Sequence, residues 1–207
     1  MNSFESDMKR ALCSKGFLAG LVLVFAMLMQ AGFDSQLYRV SVPVLATLPY
    51  TTAWLAEEQS GFSRFALMRA GRMPYIFGKY FSCGISGGLV EALPAALYRL
   101  LRPQEASCNL WLVFLSGMLW AVTAAVLTAL AKSRYIAYGG SFVIYYILVI
   151  LHERYFPGLY CLYPYEWFAP SHTWIFGWQG IVIFLAGVLL LLLLLYYELL
   201  RRCMAYG

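Results

Sequence analysis

Charge is what this sequence has least of. Only 12% of its 207 residues are Asp, Glu, Lys or Arg, while 62% are hydrophobic. Soluble domains carry roughly 25% charged and 45–50% apolar residues. A single soluble core of this length cannot hide so much apolar surface, because burial is limited by surface-to-volume scaling. Histidine is nearly missing, with His152 and His172 alone, and Cys13, Cys83, Cys108, Cys161 and Cys203 form no C-x-x-C pair. A structural zinc site and a small disulfide scaffold are both excluded on those grounds, and no metal site is expected. There is no G-x-x-x-x-G-K-[ST] run either; Gly71 and Gly78-Lys79 have the wrong spacing. The chain therefore has no phosphate-cradling loop with which to hold ATP by itself. What remains is an all-α, polytopic membrane protein.

A spanning helix needs about 20 mostly apolar residues. Stretches 16–33, 40–56, 109–131 and 173–197 meet this without an internal charge, and 135–151 meets it at the short end. The sixth, 75–98, is the weakest, because it carries Lys79 near one end and Glu91 inside. It is counted because Lys79 can snorkel to the interface. Six spans result. The first resembles a signal peptide, with Lys9, Arg10 and Lys15 before an apolar run. Its length and the poor Met29-Gln30-Ala31 cleavage site make it a retained anchor.

The net charge of +5 would suit nucleic acid in a soluble protein, but in a membrane protein the same excess marks cytoplasmic loops, so the placement of the basic residues matters more than their number. Their placement follows the positive-inside rule instead. With the N-terminus inside, Lys9, Arg10, Lys15, Arg64, Arg69, Arg72, Lys79, Lys132, Arg134, Arg201 and Arg202 all fall on the cytoplasmic side. Only Arg39, Arg99, Arg102 and Arg154 fall outside. Both termini are expected in the cytoplasm, and no nucleic-acid partner is expected.

Two enzyme motifs appear in outline and fail. Gly84-Ile85-Ser86-Gly87 resembles the serine motif of rhomboid intramembrane proteases, but no histidine lies at that depth to take the serine proton. Gly84, Gly87 and Gly88 are better read as a surface that lets two helices approach closely. Glu57-Glu58 resembles the paired glutamates of CAAX-type membrane proteases, yet Phe62 stands where that motif has arginine. No catalytic residues are assigned, and the chain is not expected to be an enzyme.

The segment that stands out is Leu55–Tyr80. It presents Glu57 and Glu58, expected at the positive end of a short helix. Gly61 then permits a turn, and Phe62, Phe65 and Ala66 form an apolar stripe beside Arg64, Arg69 and Arg72. Read from its residues alone, 57–74 is an interfacial helix between two spans. Glu-Glu-x-x-Gly, the basic amphipathic stretch, and Gly78-Lys79 opening the third span resemble the first cytoplasmic loop of type-two ABC exporter permeases. The six-span plan, the Lys132-Ser133-Arg134-Tyr135 turn, the aromatic segment before the last span and the Arg201-Arg202 ending are similar to that family too.

The resemblance implies a bacterial cytoplasmic-membrane permease subunit that pairs with a second permease subunit, itself or a sister chain. It also implies a separate ATP-binding cassette subunit that holds the nucleotide, this chain needing no cofactor. Glu57, Glu58, Gly61, Phe62, Arg64, Phe65 and Arg69 would then lie on the coupling element that meets that ATPase. Two readings of the remaining features stay open. Glu91 is either a functional carboxylate facing the bundle or a structural one hydrogen-bonded between helices. The outer loop 152–172, rich in aromatics, either caps the bundle at the lipid interface or binds a ligand. The latter would make the chain a non-transporting scaffold or immunity-type factor. Cys108 and Cys161 both fall on the outer side, where they could pair in an oxidising compartment.

Overall fold

A computed structural model describes residues 3–103, 109–170, 172, 174 and 176–205. The described residues are helical or in turns, without strands. The helices are α1 (Ser3–Leu12), α2 (Lys15–Ala31), α3 (Gln36–Leu45), α4 (Ala53–Gln59), α5 (Phe62–Ala70), α6 (Arg72–Leu101), α7 (Leu110–Ala131), α8 (Arg134–Ile150) and α9 (Trp178–Ala205). Short polar side chains start several of them. Ser14 Oγ accepts from the Phe17 amide at 3.0 Å, Ser35 Oγ from Tyr38 at 3.2 Å and Asn109 Oδ1 from Trp111 at 3.1 Å. Each satisfies a backbone donor that the first helical turn leaves without a partner.

Four helices are long and apolar enough to cross a membrane: α6, α7, α8 continued by a π turn to Tyr155, and α9. A fifth crossing results if α1 and α2, bent by 49°, act together. The segment that looked weakest by composition, 75–98, lies in the longest helix, the 30 residues of α6. Its two charges do not meet lipid, as described below.

The stretch 40–56 differs most from expectation. It is not a helix of spanning length. The helix stops at Leu45, the chain turns through residues 46–52, and the seven-residue α4 follows. The physical reason is proline: Pro43 removes one backbone donor inside α3, and Pro49 cannot continue a helix. Side-chain hydroxyls bond carbonyls along the break. Ser141 Oγ of α8 donates to Pro43 O at 2.8 Å, Thr47 Oγ1 to Val44 O at 2.6 Å, and Thr51 Oγ1 to Thr47 O at 2.6 Å.

The hairpin of α6 and α7 forms the centre, each with 61% of its apolar window buried, against 17% for α8 and 22% for α9. Glycine on α6 sets the spacing. A β-carbon on Gly87 would stand 2.3 Å from that of Ala121, one on Gly84 2.9 Å from Met118, and one on Gly88 2.7 Å from Phe114. The three glycines lie against α7.

Two groups of contacts define the ends of the bundle. At one end α1 meets α4 and α6 through Arg10, Glu57 and Lys79, and α4 meets the α7–α8 turn through Glu58 and Lys132. At the other, Arg39 of α3 meets Tyr165 of the aromatic segment. The chain from α3 to α4 therefore runs from one end to the other by a broken path.

Candidate coupling surface and a buried charge cluster

Two glycines delimit α5. Gly61 has φ +72° and Gly71 φ +78°, values that side-chain-bearing residues rarely adopt. Between them Ala66 and Leu67 pack toward the core, while Phe62, Phe65 and Met68 are exposed, the last two at 68% and 77%. Ala66 thus belongs to the inner face, not to the outward apolar stripe. Arg69 closes the helix in its last turn, exposed. Arg64 lies on this helix, its side chain outside the described residues.

The structure corrects the expected setting of Glu57 and Glu58. They sit in the last turn of α4, the negative end of that helix, and α5 begins on Gly61. A carboxylate there is disfavoured by the helix dipole, and cations compensate. Glu57 Oε1 accepts from Lys79 Nζ at 2.6 Å and from Arg10 Nη1 at 3.2 Å, while Tyr75 OH donates to its Oε2 at 2.8 Å. Glu58 Oε1 accepts from Lys132 Nζ at 3.0 Å, and this carboxylate holds the Lys132 ammonium above the usual lysine range.

Lys79 does not snorkel to the interface. Its side chain is 2% exposed and lies between two carboxylates, because α1 folds over it. Besides Glu57, its Nζ donates to Asp7 Oδ1 at 2.8 Å and to Tyr50 OH at 3.0 Å, and Tyr50 OH donates to the same Asp7 oxygen at 2.7 Å. Arg10 also lies over the Phe62 ring, 5.6 Å from its centre. With Asp7, Glu57, Lys79 and Arg10 the cluster is formally neutral, which is what makes burial of its ions tolerable. Sequence reasoning missed Asp7, Tyr50 and Tyr75. The one usable signal was a short helix of balanced charge, Glu5 and Asp7 against Lys9 and Arg10, ahead of the first apolar run.

Glu91 is fully buried. Tyr38 OH of α3 donates to its Oε2 at 3.2 Å, and a β-carbon on Gly117 of α7 would stand 3.0 Å from its Cγ. Its Oε1 has no hydrogen-bond partner among the described residues. Ser86 is buried as well, its hydroxyl donating to Cys83 O at 3.0 Å.

At the aromatic end the chain folds inward. Trp167 stacks on Trp120 of α7 with centres 5.7 Å apart, and Phe168 meets Phe33 and Tyr38 edge-on. The Arg39 guanidinium carbon lies 3.3 Å from the Tyr165 ring centre. Glu166, fully buried, accepts from the His172 amide at 3.2 Å and lies 2.9 Å from His172 Nδ1. Tyr155, Phe156 and Leu159 remain exposed. Cys161 is a free thiol, and Cys108 lies outside the described residues. Among the described residues no three His, Cys, Asp or Glu side chains converge to hold a metal ion. An open cleft of about 410 Å³ lies between Gln59 and the α7–α8 turn, lined by Lys132, Ser133, Arg134, Tyr135 and Tyr138. No protein family matches the chain, and neither does any curated protein or solved structure.

Proposed function

We propose that this chain is the membrane-spanning permease subunit of a bacterial ATP-driven exporter of the type-two ABC class. In this reading it crosses the membrane six times, the broken α3–α4 path being the second crossing. The α1 end faces the cytoplasm, and a separate subunit binds ATP. The observation that carries the reading is α5: a short helix between two glycines of positive φ, with Phe62, Phe65 and Met68 turned outward at the end where the basic residues gather. An outward apolar face of that kind fits a partner protein. The resemblance of residues 55–80 to a coupling loop supplies the identity of that partner. A second permease subunit would pair with this one within the bilayer.

The test is copurification. Expressed with the ATPase encoded beside it and extracted in mild detergent, the chain should retain that subunit. Phe65→Asp and Met68→Asp should release it without loss of the folded chain. Stable isolation as a lone subunit, with no ATPase encoded nearby, would overturn the reading. The exposed Tyr155, Phe156 and Leu159 favour one alternative, a non-transporting scaffold or immunity-type factor holding a ligand at the outer loop. That alternative requires function without nucleotide, and loss of function when residues 155–168 are removed.

A further inference from the structure

We propose that Lys79 is a positioning residue for the coupling segment, locking α4, α1 and α6 together through Glu57 and Asp7 so that a displacement of α5 is passed to the long helix α6. The function of this lock rests on the exporter reading; its existence as a lock does not.

The argument begins with connectivity. Residues 7, 50, 57 and 79 belong to α1, the 46–52 turn, α4 and α6, and one ammonium joins all four, at 2.6–3.0 Å from each partner. Nothing in the covalent chain fixes α1 to α4; Gly61 and Gly71 leave α5 joined to its neighbours by two permissive turns. A push on α5 would be lost in those turns unless α4 were held. Glu57 holds it, and Arg10 reinforces the grip by touching both Glu57 and the Phe62 ring.

Burial makes the junction hard to open. An ammonium that is 2% exposed cannot leave its two carboxylates without standing uncompensated in a low-dielectric interior. The lock is therefore stiff, and α1 and α4 follow Lys79 as one body.

The experiment is position-resolved tryptic cleavage of the full chain in mild detergent, without any partner. Lys79→Met should speed cleavage at Lys9, Arg10, Arg64 and Arg69 by about tenfold or more, because breaking a buried pair frees local opening. Cleavage at Arg154, at the other end, should stay unchanged. Lys79→Arg, which keeps a cation between Asp7 and Glu57, should recover most of the protection that Lys79→Met loses. Should Lys79→Met not fold, Tyr75→Phe and Arg10→Gln test the same lock at its rim. They should raise cleavage at Lys9, Arg64 and Arg69 by about threefold, the worth of one hydrogen bond.

Equal acceleration at Arg154 would mean general destabilisation and would overturn the proposal, as would no acceleration at Arg64 in folded Lys79→Met. With the ATPase present, Lys79→Met should lower transport per ATP hydrolysed while leaving subunit retention unchanged. A chain that passes the cleavage test but retains no ATPase keeps the lock and loses the exporter reading.

Discussion

The carbonyl oxygen of Leu48 lies 2.2 Å from the point where Gly16 would carry a β-carbon. The broken second path is thus pressed directly onto α2, and only glycine admits the contact. Gly20, one turn on, faces the Val90 side chain of α6, where a β-carbon would stand 2.9 Å from Cγ1. Gly16→Ala is expected to destabilise the chain by about 1–3 kcal/mol, the usual range for overpacking. Gly187→Ala, in α9 with nothing within 4 Å, should be neutral or gain up to about 1 kcal/mol from helix propensity. Thermal unfolding in detergent distinguishes the two; equal effects would deny the close approach.

The adjacent glutamates should respond unequally to charge reversal. Glu57→Lys places a third cation beside Lys79 and Arg10 in a buried site and should cost about 3–5 kcal/mol, appearing as poor recovery of folded protein. Glu58→Lys disturbs a pair whose lysine is 54% exposed and should cost no more than about 1 kcal/mol. Fluorescence-detected size exclusion of both variants gives the ranking. On the exporter reading proposed above, the milder variant is the one in which to measure uncoupling of ATPase activity from transport.

Tyr38 and Glu91 should be energetically coupled. A double-mutant cycle of Tyr38→Phe and Glu91→Leu, read by thermal or denaturant unfolding, is expected to give an interaction of about 1 kcal/mol. Additive effects would mean that the 3.2 Å contact contributes nothing.

The Lys132–Glu58 pair carries a pH signature. Because Glu58 raises the folded-state pKa of Lys132 above the ordinary 10.5, its stabilisation is fully present below that value. It is lost as pH rises through the higher folded one. The difference in melting temperature between the natural chain and Glu58→Gln should be constant from pH 8 to 10 and shrink only above 10.5. A difference that shrank between pH 8 and 10 would count against the pair.

Apolar length made α6, α7, α8 and α9 legible from the sequence, because a hydrocarbon-spanning helix is specified by one local quantity. What that quantity could not convey was which residues face lipid. Lys79 and Glu91 weakened the 75–98 stretch by count, although α1 and α3 cover both side chains. The 40–56 stretch has the opposite character: it passes by count, and Pro43 and Pro49 interrupt it. Glu57 was singled out from its place beside Glu58, yet its partners lie 22 and 47 residues away, beyond any spacing rule. The polar helix α1 was too hydrophilic to count as a span, and its docking through Asp7 is a tertiary event.

The hydroxyl that Ser141 gives to Pro43 comes from 98 residues further along the chain. During synthesis the α3–α4 segment is therefore made long before the group that completes its hydrogen bonding. Until α8 arrives, the Pro43 carbonyl must find water or remain at the membrane surface. The order of assembly follows: α2 can enter the bilayer at once, whereas the segment after it settles only when α8 has been laid beside it.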